Sequence, residues 1–149
     1  MSITLENLEY ALAGESMAHI KYRYFAKIAR EEGYEDVAKH FEHTADQEIK
    51  HAWGHLELLI GKPSTKECLE KSIEGETHEY TAMYPTFEHQ AAQEGYEETQ
   101  REFADQIAES KEHAEQFAVV LAKAEKRFAA LKKVEERHAN AYKQVLESI

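Results

Sequence analysis

The sequence predicts an all-α protein, a bundle of antiparallel helices whose last member is much longer than the rest. Three observations carry this expectation. Only six glycines and two prolines occur in 149 residues, and they fall in clusters. Apolar side chains recur at steps of three and four, with no strand-like alternation. Beyond Gly95 neither glycine nor proline appears through Ile149, leaving over fifty residues of helical composition. With 42% apolar residues, the whole of 1–149 is expected to form one domain around one core.

The first helix is expected over about Leu5 to Glu31, where Leu5, Leu8, Leu12, Glu15, Ala18, Tyr22, Phe25 and Ala29 share one stripe. Gly33 ends it. Val37, Phe41, Thr44, Glu48, His51, His55 and Leu58 form the stripe of a second helix, closed by Gly61 and Pro63. Ser64 with Glu67 has the form of a capping box and opens a third helix bearing Leu69, Ile73, Glu76, Tyr80, Met83 and Phe87, which Pro85 should kink. Around Gly95, QEGYEE repeats the EEGYED turn around Gly33, and the last helix follows.

Charge and cysteine content exclude several functions. With 29 acidic against 18 basic side chains, a formal −11, the chain repels phosphate backbones and anionic lipid, so neither nucleic acid nor membrane is an expected partner. The longest apolar run, Phe117 to Ala122, is too short to span a bilayer, and MSITLENLEY lacks a signal pattern. Cys68 stands alone, which excludes a disulfide framework or CxxC pair within the chain and suits a reducing cytoplasm.

Each apolar stripe is interrupted at its middle by ionisable groups: Glu15, then Glu48 and His51, then Glu76 with Glu79, then Glu135 and His138. Unpaired, such groups would cost several kcal/mol each in a core, on the order expected for buried charges, and a metal centre offsets them. Bundles that bind two metals use one Glu from each of two helices and a Glu-x-x-His from each of the other two. The chain supplies that set with Glu79 to spare. Carboxylates with imidazoles suit iron or manganese better than thiolate-loving ions. His55 reads as a hydrogen-bonded core histidine beside the ligands, His40, His43, His78 and His89 as surface residues, and Tyr22, Tyr24 and Tyr84 as core aromatics.

At these residues the chain resembles the rubrerythrins. AGES at Ala13 to Ser16, TADQEIKH at Thr44 to His51, GETHEYTAMYP at Gly75 to Pro85 and KVEERHANAY at Lys133 to Tyr142 look like that family's ligand-bearing segments. The resemblance implies a ferritin-like antiparallel four-helix bundle with two iron ions, for which manganese or zinc could substitute, held by Glu15, Glu48, His51, Glu76, Glu135 and His138. It further implies that Glu79 exchanges with a histidine as the irons change oxidation state and that Tyr22 and Tyr84 line the site. The implied activity is reduction of hydrogen peroxide to water, with electrons from a small redox protein such as a rubredoxin. Reaction with O₂ in an iron-oxidising or iron-storing role, or a metal-stapled scaffold without catalysis, are the alternatives.

The chain departs from the family pattern in three places. It has no rubredoxin-like module with two CxxC pairs, so electrons would come from a separate partner. The symerythrins carry a second glutamate three residues after the first, where this chain has Ala18. The last helix also repeats itself with a period of 25 residues, pairing Phe103 with Phe128, His113 with His138 and Phe117 with Tyr142. Glu135 precedes His138 by three, whereas Ser110 precedes His113, so Glu135 and His138 are favoured as ligands, with Glu109 and His113 as the second choice. The link from Gly61 to Thr65 reaches at most ~18 Å, too short for a connection along the bundle. A homodimer with exchanged helices is therefore expected.

Overall fold

The computed structural model describes residues 2–148, and among them every regular element is helical. The elements are α1 (Ile3–Glu31), α2 (Glu35–Ile60), α3 (Thr65–His78), a π-helical segment (Glu79–Met83), α4 (Tyr84–Glu94) and α5 (Glu97–Glu147). Among the described residues no helix is long and apolar enough to cross a membrane. The all-α class is as expected. The chain divides into two compact units, one holding α1 and α2 as far as Lys62, the other everything from Pro63 onward.

In the first unit α1 and α2 run antiparallel, since contacts pair low numbers with high ones: Arg30 meets Glu42 at 3.0 Å, Tyr22 lies on Phe41, and His19 reaches Ala45. Ala26, Ala29, Ala38, Ala45 and Ala52 are its buried side chains, small enough to bring the helices together. In the second unit the run α3, π segment, α4 lies antiparallel to α5, with Gln100 Nε2 donating to Glu88 at 2.6 Å and Lys66 meeting Glu125 at 2.9 Å. These are helix pairs of the kind that a ferritin-like bundle combines. Both units leave large apolar side chains exposed, Met17, Phe25 and Trp53 in one and Phe87, Val120 and Leu131 in the other.

The second unit repeats the first. Gly33 and Gly95 both take left-handed backbone, φ 87° and 81°. Each is followed by a tyrosine N–H that closes the helix behind it, Tyr34 onto Ala29 O at 2.8 Å and Tyr96 onto Ala91 O at 2.9 Å. These are matching Schellman caps. The aromatic clusters match too: Tyr22, Phe25 and Phe41 in one unit, Tyr84, Phe87 and Phe103 in the other. All these pairs are separated by 62 residues. Upstream the separation is 61, as between Leu8 and Leu69, Leu12 and Ile73, or Glu15 and Glu76.

The π segment accounts for the extra residue. Tyr84 N–H bonds Glu79 O, five residues back where an α-helix reaches four. Pro85 follows at the start of α4. Just before Pro85, where a kink is expected, the helix widens. The proline has no N–H to give and its ring would crowd the carbonyl of Thr81, and a wider turn gives that carbonyl room.

Candidate metal centre

Two clusters of carboxylate and imidazole stand at corresponding places in the two units. In the first, Glu15 projects from α1, and Glu48 and His51 from adjacent turns of α2. His51 Nδ1 lies 3.1 Å from Glu48 Oε2 and 3.9 Å from Glu15 Oε2. One ligand atom from each of the three falls within 4.8 Å of the others. Both carboxylates are largely covered while His51 is exposed. The Glu15 carboxyl is pushed above its ordinary value, first by sharing a hydrogen bond with Glu48, then by burial and by the charge on Glu48. Two carboxylates brought this close need a proton or a cation between them.

In the second unit Glu76 comes from α3, Glu79 opens the π segment, and Ser110 and His113 come from adjacent turns of α5. His113 Nδ1 lies 3.4 Å from Glu76 Oε2, yet that oxygen, shut off from solvent, accepts no hydrogen bond. The Ser110 hydroxyl donates to Glu79 Oε2 at 3.0 Å. An orphaned carboxylate oxygen facing an imidazole is what a cation would satisfy. The residues of both units therefore fit a metal held by oxygen and nitrogen donors.

The structure thus gathers Glu15, Glu48 and His51 in one unit and Glu76, Glu79 and His113 in the other. Glu135 and His138 stand elsewhere, both exposed on the end of α5. Seven helical turns, about 37 Å at 1.5 Å per residue, separate His138 from His113. They cannot join Glu76 and Glu79 of their own unit. Glu109, paired with His113 in the second choice, faces solvent and meets Gln106 at 3.5 Å. Ser110, three residues before His113, takes the inward position instead.

Of the other histidines and the tyrosines, some join the helix packing and the rest face solvent. His19 donates from Nδ1 to Ala45 O at 2.7 Å, tying α1 to α2. His55 is half-buried. His40, His43, His78 and His89 are exposed. Tyr22 stacks on Phe41 and Tyr84 tilts against Phe103, with ring centres 6.0 and 5.9 Å apart, whereas Tyr24 is exposed. Ser110 was the residue hardest to read from sequence, where it registers only as a missing carboxylate. The 62-residue repeat is the signal that makes it the equivalent of Glu48.

A family model described as rubrerythrin matches residues 6–121. Rubrerythrin from Nitratidesulfovibrio vulgaris is 41% identical over 116 residues, covering 69% of this chain and 61% of that protein. Nigerythrin from the same organism is 42% identical over 106 residues, covering 62% and 52%. Rubrerythrin from Porphyromonas gingivalis is 40% identical over 110 residues, covering 65% and 55%. The chain therefore spans about half to three fifths of the length of these relatives. A solved structure of nigerythrin in its fully reduced, all-ferrous state is 34% identical, covers 84% of this chain and 69% of that one, and superposes with a TM-score of 0.42. On the family match and these identities, the chain belongs to the rubrerythrin family.

Proposed function

We propose that the protein is a non-haem diiron peroxidase that reduces hydrogen peroxide to two waters, with two electrons and two protons supplied from outside. The observation that carries this reading is the recurrence, in each unit, of two carboxylates and one imidazole, so that both units together offer the donors of a two-metal site. Glu15, Glu48, His51, Glu76, Glu79 and His113 would hold the metals. Two ferrous ions so held would supply the two electrons that break the O–O bond, and an external one-electron redox protein, such as a rubredoxin, would restore them.

The chain's own groups do the rest. The four carboxylates offset the metals' charge in a partly covered site, and the imidazoles of His51 and His113 complete the donor set with ring nitrogens. Tyr22 and Tyr84 hold equivalent places in the two units and supply phenolic O–H groups for a hydrogen bond or an electron. Manganese or zinc suits the same donors, so the metal found depends on supply as well as on the site.

We also propose a homodimer with exchanged helices. The link Gly61–Ser64 between α2 and α3 is four residues, reaching at most ~14 Å, against a length of about 39 Å for α2. A ferritin-like bundle made with so short a link takes its two helix pairs from two chains. The large apolar side chains left exposed in each unit are the surface such pairing would cover.

The test is anaerobic stopped-flow mixing of iron-loaded protein with peroxide or with O₂. Oxidation by peroxide outpacing that by O₂ is the expected result. Faster oxidation by O₂ would move the assignment to iron oxidation, and no oxidation by either to a metal-stapled scaffold. Glu48→Ala should abolish iron loading and peroxide turnover together.

A further inference from the structure

The repeat between the units shows what Ser110 does. With the separation of 62 residues, His51 corresponds to His113, Ala52 to Ala114 and Glu48 to Ser110. With the separation of 61 upstream of the π segment, Glu15 corresponds to Glu76 and Ala18 to Glu79. The cluster Glu15, Glu48, His51 therefore has as its counterpart Glu76, Ser110, His113, one carboxylate short. A carboxylate is nevertheless present, on the opposite helix. Glu79 occupies the place of Ala18, and its Oε2 accepts a hydrogen bond from the very serine that replaced the glutamate.

Ser110 is 3% exposed, among the most covered polar side chains of the chain. A hydroxyl cannot offer two oxygens to two metals, but it can hold a carboxylate that does. From the facing helix it donates its one proton to one oxygen of Glu79 and leaves the other free for a cation. The number of carboxylates and imidazoles is then the same in both units, although the second carboxylate has crossed from the second helix of the pair to the first.

We propose that Ser110 is a positioning residue that holds Glu79 in the ligand place corresponding to Glu48. The proposal rests on the diiron reading above.

Titration of the metal-free protein with Co²⁺ under argon, followed by calorimetry and by the visible absorption of bound Co²⁺, tests this without using activity. Ser110→Ala should weaken binding about 10-fold or more, the range found when a partner of a metal ligand is removed. Ser110→Thr, which keeps the hydroxyl, should bind within about 3-fold of the original protein by the same comparison. Glu79→Ala should lose most binding, and adding Ser110→Glu to it should restore binding, because the carboxylate returns to the helix where Glu48 has it. Helicity measured by circular dichroism identifies variants that fold. Ser110→Ala binding Co²⁺ as the original does, or a folded Glu79→Ala, Ser110→Glu double variant that still fails to bind, would overturn the proposal. Failure of the unsubstituted protein to take up Co²⁺, or uptake unaffected by Glu48→Ala, would instead overturn the diiron reading on which it rests.

Discussion

His113 and His138 carry the same side chain on the same helix, and their surroundings assign them different work. His113 faces the covered Glu76 carboxylate, and His138 faces solvent. His113→Ala should therefore lower metal bound per chain, while His138→Ala leaves it unchanged, as elemental analysis after loading would show. The opposite result would give the last ligand to His138 of a second copy. Glu76 offers a sign test of a different kind. Its Oε2 is shut off from water without a hydrogen-bond partner, which in the metal-free protein is a cost of about 1–3 kcal/mol. Glu76→Gln should raise the Tm of the metal-free protein and lower that of the loaded one. A drop in both would show that the carboxylate is satisfied without metal.

At the scale of the element, the π segment and the cap of α3 have separable effects. The π segment adds one residue between Glu76 and Tyr84, and one residue rotates a helix by about 100°. Deleting Ala82 should return the stretch to α-helix and turn Glu76 and Glu79 away from His113. Metal binding should be lost while helicity measured by circular dichroism persists, and retained binding would show that the wide turn does not set the ligands. The cap concerns stability alone. Ser64 N–H donates to Glu67 Oε2 at 2.7 Å, and Glu67 N–H donates to Ser64 Oγ at 3.3 Å. Ser64→Ala should cost about 1 kcal/mol in chemical denaturation. The backbone N–H of Ser64, and next its hydroxyl, hold the Glu67 carboxyl below its ordinary value. A group depressed in the folded state contributes its stabilisation fully above the unfolded value of about 4.3, and loses it as pH falls through the lower folded value. Acid unfolding of Glu67→Gln should accordingly depend less on pH in that range than that of the original protein.

For the whole molecule the decisive feature is the four-residue link between α2 and α3. If helix exchange follows from its shortness, inserting about 20 flexible residues, which reach roughly 25 Å on average as a random coil, frees a chain to pair its own helices. Sedimentation should then shift from dimer toward monomer, with metal binding kept. A dimer unchanged by the insertion would place the association elsewhere, and α5 beyond the family match, with exposed Leu131, Val134, Tyr142 and Val145, would be the next surface to cut back.

Most of the helical fold is legible in the sequence, because a stripe at steps of three and four, a capping serine and a glycine-tyrosine turn each act through neighbours a turn away. Glu15, Glu48, His51 and Glu76 stand out on the same grounds, as charges interrupting apolar stripes, whereas Glu79 lies one residue off its stripe and is singled out by the family resemblance. Local spacing cannot decide which of two equally spaced histidines meets Glu76, because Glu135 and His138 satisfy the motif better than Ser110 and His113 do. Tertiary packing decides it. The turn at Gly95 sets where α5 begins beside α4, and from there the rise per residue brings His113, not His138, level with Glu76. The π turn escapes the sequence for a different reason: Pro85 signals that a helical bond must be lost, and a kink and a wider turn are both ways for a helix to absorb that loss.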